Sequence, residues 1–100
     1  MAVVILDVAD REHLSLSNSL YGALSEWVTN QTADALLREK VEIAQWNYLL
    51  DLAEFSGQQR QELGAHVLAL RENIEAERGA MGTPALLQHL EQVARFIQSQ

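Results

Sequence analysis

The sequence contains no cysteine, so it has no disulfide, no thiolate nucleophile and no cysteine metal ligand. It is also poor in positive charge, with seven Lys and Arg against fourteen Asp and Glu and a formal net charge of −7. Those seven, Arg11, Arg38, Lys40, Arg60, Arg71, Arg78 and Arg95, are scattered along the chain. No basic cluster is available to neutralise a phosphate backbone or an anionic bilayer, so neither nucleic acid nor membrane is the expected partner. No apolar run approaches the roughly 20 residues of a membrane span. The stretch MAVVILDVADRE has no basic leader segment, and Asp7 breaks its apolar run early, unlike a signal peptide. A cytoplasmic location is the expectation.

The chemistry-bearing motifs are missing as well. There is no HExxH, no GxSxG, no phosphate-cradling loop and no dinucleotide fingerprint. The histidines are His13, His66 and His89, and Glu62 lies one helical turn before His66. One such pair is not a ligand set. Glu72, Glu75 and Glu77 stand among arginines, which is the pattern of a solvated helix face rather than of an acid/base pair in a cleft. The expectation is a chain that is not an enzyme and needs no metal or cofactor.

What is present suits one globular domain over residues 1–100, with 48% hydrophobic and 21% charged residues. Val3 to Val8 read as a β-strand, and His13-Leu14-Ser15-Leu16-Ser17 alternates as a half-exposed one. Together they predict a β-hairpin over about 2–17. The first strand is apolar on both faces, so each face should be covered, by helices or by a strand of another chain.

Four helices follow. The first spans about 18–30, with Ser17, Asn18 or Ser19 as N-cap and Leu20, Tyr21, Leu24, Trp27 and Val28 inward. The second, capped by Thr32, is read as one helix over 32–55, with a core stripe of Leu37, Val41, Ala44, Tyr48, Leu52 and Phe55. Ser56 and Gln59 match a capping box that starts a third helix over 57–78, ending at Gly79. Its Leu63, Val67, Leu70 and Ile74 form a narrow seam. Gly79-Ala80-Met81-Gly82 reads as a flexible joint, and Thr83-Pro84 starts a fourth helix over 84–98 that turns Leu86, Leu87, Leu90, Val93, Ala94 and Ile97 inward. The fold class is α+β, a hairpin packed on four helices; the alternative is an all-α bundle with an N-terminal arm.

One surface stands out. On the second helix Trp46 lies opposite the core stripe, with Leu49, Leu50 and Ala53 beyond it and Glu39 and Glu42 before it. An aromatic beside charges and apolar residues has the composition of an interface anchor. Glu39, Glu42, Trp46, Leu49, Leu50 and Ala53 are therefore the candidate partner-binding residues. The leading expectation is a non-enzymatic inhibitor or regulator that docks this acidic-aromatic face on a basic protein. In length, acidity and lack of cysteine the chain is similar to small bacterial inhibitor and immunity proteins; that likeness covers no motif. The alternative is a self-associating subunit, a homodimer that buries the first strand and Trp46.

Overall fold

A computed structural model describes residues 2–9, 11–78 and 84–100, with the Arg78 side chain left aside. The element order is β1 (Ala2–Leu6), β2 (His13–Ser17), α1 (Asn18–Gln31), α2 (Ala35–Asn47), β3 (Leu49–Asp51), a 3-10 turn at Leu52–Glu54, α3 (Gly57–Arg78) and α4 (Pro84–Gln98). The fold is α+β, as the sequence predicts, and the hairpin is there: β1 and β2 pair antiparallel, Val3 opposite Leu16 and Ile5 opposite Leu14. Asp7 closes the intervening turn, its backbone N–H donating to Glu12 O at 3.1 Å and its Oδ1 accepting from Arg11 N at 2.7 Å.

The hairpin gains a third strand from its own chain. β3 runs parallel to β1 with Ile5 opposite Leu50, so the strand order is β2-β1-β3. This corrects two expectations, that the second helix continues to Phe55 and that any third strand would come from another chain. The helix stops at Asn47. Tyr48 follows in the left-handed region at φ 58°, with its N–H still donating to Ala44 O. That conformation costs a non-glycine residue about 1–2 kcal/mol. Two gains offset it: Tyr48 O accepts the Val4 N–H at 3.0 Å, and Leu50 enters the core at 1% exposure.

Alternation divides β1 between two environments. Val3 and Ile5 are wholly buried, whereas Val4 and Leu6 are half-buried on the outer face with Leu49. The expectation that both faces of this strand are covered thus holds for one face. The inner face joins a continuous cluster that includes Leu16, Leu24, Val28, Leu37, Val41, Leu63, Val67, Leu90, Val93 and Ile97. Ile74 and Trp27 pack against this cluster while staying partly exposed.

The start signals mostly act where the sequence places them. Ser17 Oγ caps α1 by accepting from Leu20 N, and Ser56 and Gln59 close their reciprocal box at 2.9 and 3.1 Å. Thr32 is a correction. It ends α1, and Asp34 caps α2 by accepting from Leu36 N and Leu37 N. Those bonds, chiefly that from Leu37, hold the Asp34 carboxyl below the usual carboxylate range. Thr32 Oγ1 accepts from Asp34 N and donates to Glu62 on α3, so the α1–α2 corner is fastened to the third helix. Tyr21 fastens α1 to α2 directly, its hydroxyl donating to Val41 O at 2.8 Å, and burial pushes its phenol pKa far up. The expected joint Gly79–Gly82 and the cap at Thr83 lie outside the described residues; α4 does begin at Pro84. Among the described residues no helix is long and apolar enough to cross a membrane.

Candidate functional site

Helix α2 presents two sides of opposite character. Leu37, Val41 and Ala44 face inward and are buried. Leu36, Glu39, Ile43 and Trp46 recur at i, i+3, i+7 and i+10 and share the outer side. Leu36 is 51% exposed, Ile43 47% and Trp46 78%, while Glu39 and Glu42 are also exposed. Beyond the helix end, Tyr48 and Leu49 are each 42% exposed. This large apolar area is interrupted by carboxylates, and burying its rings and branched chains would release considerable free energy at about 25 cal/mol per Å².

The structure sorts the six predicted residues into two groups. Glu39, Glu42 and Trp46 do share the solvent side of α2. Leu49, Leu50 and Ala53 do not continue that side, because the helix has ended. Leu49 is exposed on the outer face of the sheet and Ala53 in the 3-10 turn. Leu50 is a core residue and leaves the candidate site. Tyr48, read as core, is instead exposed next to the site. Leu36 and Ile43 were missed, although spacing placed them beside Trp46: Ile43 is three positions before it.

The chain's cations are occupied around this face. Lys40 Nζ donates to Glu54 O and lies 5.3 Å from the Phe55 ring centroid. Arg60 donates to Leu52 O and Phe55 O, and Arg38 to Thr32 O. Lys40 and Arg60 stitch the irregular segment after β3, whose carbonyls lack helical partners, and Arg38 does the same for the α1–α2 corner. Glu39 and Glu42 make no ion pair among the described residues. The outer side of α2 is thus acidic as well as apolar.

Between α1 and α2 runs an open groove of about 450 Å³. Gly22, Ser25 and Glu26 line it from α1, and Glu42, Gln45 and Trp46 from α2. Gly22 leaves its floor low, so Gln45 Nε2 lies 3.4 Å from where a β-carbon would stand. Elsewhere, His66 Nε2 and Glu62 Oε2 meet at 3.1 Å, but the same carboxylate oxygen takes the Thr32 hydroxyl. Among the described residues no three His, Cys, Asp or Glu side chains converge as a metal-binding group. Comparisons with family models, with curated proteins and with solved structures give no match.

Proposed function

We propose that the chain is a non-enzymatic binding module that inhibits or regulates a basic protein, in the manner of an immunity protein or antitoxin. The observation that carries this reading is the 78% exposure of Trp46 on a helix side shared with Leu36, Ile43, Glu39 and Glu42. Tryptophan is among the residues enriched at interface hot spots, since one ring fills a pocket at little entropic cost. Unpaired carboxylates around it favour encounter with a positive surface and repel an acidic one. The net charge of −7 extends that preference over the whole molecule.

The test is affinity capture from native lysate with the wild-type chain and two variants, Trp46→Ala and Glu39→Lys/Glu42→Lys. A stoichiometric basic protein should be retained by the wild type and lost by both variants, while Glu72→Lys on α3 retains it. Retention that is indifferent to Trp46 and both glutamates would refute the reading.

A second reading, a homodimer, draws on the outer sheet face, where Val4, Leu6 and Leu49 are incompletely covered and β3 forms an edge. Light scattering separates the two. A dimer that Leu49→Lys dissociates favours the second, and a monomer at all concentrations favours the first.

A further inference from the structure

We propose that the groove between α1 and α2 is a receptor for one guanidinium group, an arginine side chain presented by the partner; this rests on reading the chain as a binding module for a basic protein. Three independent features meet there. The first is charge. Glu26 and Glu42 face the groove from opposite helices, neither makes an ion pair or side-chain hydrogen bond among the described residues, and no basic residue lines it. The second is a flat wall, the Trp46 ring, exposed and free to be covered. The third is a hydroxyl without a protein partner. Ser25 is only 3% exposed, yet it lines the groove, and its hydroxyl has no hydrogen-bond partner among the described residues. The hydroxyl is not sealed from solvent, so a donor that enters the groove can take the place of water on it.

A guanidinium answers all three. It is planar, stacks on an indole face, and carries five N–H donors in a fork that suits two carboxylates and a hydroxyl. An ammonium satisfies the charge but lacks the plane that stacks on an indole and the rigid fork that pairs with carboxylates. A neutral or acidic side chain leaves the carboxylates uncompensated. Gly22 admits the depth this requires, because any side chain there would stand over the groove floor near Gln45.

The experiment titrates the intact protein with three blocked tripeptides, acetyl-Gly-Arg-Gly-amide and its lysine and citrulline counterparts, by amide chemical-shift mapping. Citrulline keeps the shape of arginine and removes its charge. The arginine peptide should give saturable shifts confined to Gly22, Ser25, Glu26, Glu42, Gln45 and the Trp46 indole. The lysine peptide should bind at least about threefold more weakly and the citrulline peptide not measurably. Glu26→Gln/Glu42→Gln should weaken arginine binding by about tenfold, as loss of two charge-assisted bonds implies. Equal binding of citrulline or lysine, shifts centred on other acidic surfaces, or no saturable shift would each overturn the proposal. None of these results bears on whether Trp46 and Glu39 capture a basic protein, so the groove can fail while the proposed function stands, and the reverse.

Discussion

The α3–α4 pair and the segment from α2 through Phe55 solve the same packing problem in opposite ways. The pair is regular. Leu63, Val67 and Leu70 on one helix meet Leu90, Val93, Ala94 and Ile97 on the other in uninterrupted helical phase. The α2–Phe55 segment buries Leu37, Val41, Ala44, Leu50, Leu52 and Phe55 by passing through helix, left-handed turn, strand and 3-10 turn. Regular elements satisfy their own backbone. The broken stretch after α2 takes donors from regular elements instead, from Val4 N on β1, Lys40 on α2 and Arg60 on α3. Irregular backbone is stable when side chains from regular neighbours complete its hydrogen bonds, and it leaves rings outside that a continuous helix would have turned inward.

The largest effect expected from breaking this contrast comes at Leu50. Leu50→Ala should destabilise the protein by about 2–5 kcal/mol, because the side chain is buried between sheet and helices. Chemical denaturation measures it. A loss under about 1 kcal/mol would mean that Leu50 lies outside the core and that the helix runs on past Asn47.

The regular pair has its own tight point. A β-carbon on Gly64 would stand 2.3 Å from Gln98 Cγ, where Gln61 Nε2 donates to Gln98 O at 2.9 Å. Gly64→Ala should therefore cost about 1 kcal/mol net, the overpacking exceeding the gain in helix propensity. Adding Gln98→Ala should reverse the sign, since the propensity gain then stands alone. Thermal melts of the single and double variants decide it; additive effects would show that the two residues do not touch.

A smaller change, of opposite sign, belongs to Tyr48. Tyr48→Gly should stabilise by at most about 1 kcal/mol, as relief of the strain at φ 58° is partly offset by loss of the packing around a ring that is 42% exposed. Destabilisation by the same amount would assign the ring a packing role. Smallest of all is Trp46→Ala, expected within about 0.5 kcal/mol of wild type in the isolated protein. A monomer that loses several kcal/mol would place the ring in the core.

Legibility in the sequence follows the same division. The hairpin, the capping box at Ser56, the proline start of α4 and the inward stripes of α3 and α4 were readable because local pattern and tertiary demand agree there. The end of α2 was not. Asn47-Tyr48 has no glycine to mark a left-handed residue, and Leu49-Leu50-Asp51 is too short to show alternation. Only the unfilled edge of β1, a long-range demand, pulls those residues out of the helix. The candidate face was half legible for the same reason. Glu39, Glu42 and Trp46 fall in true helical phase, whereas Leu50 was projected along a helix that had already stopped. Ser25 and Glu26 carry no motif and gain meaning from facing α2 across the groove.

The position of β3 beside β1 has a consequence for how the molecule assembles. Pairing of Val4 with Ser15 joins residues eleven positions apart, and pairing of Val4 with Leu49 joins residues forty-five apart. Loop-closure entropy alone makes the second contact costlier by about 1.2 kcal/mol. The two-stranded ribbon can therefore form early, with β1 waiting on one side for a partner that arrives when α1 and α2 have folded against each other. Folding-rate measurements on the Leu50→Ala chain should show the change chiefly as faster unfolding with little slowing of refolding, the signature of a contact made after the transition state. Until that last strand docks, the open side of β1 is the molecule's own most vulnerable template for pairing with a second chain.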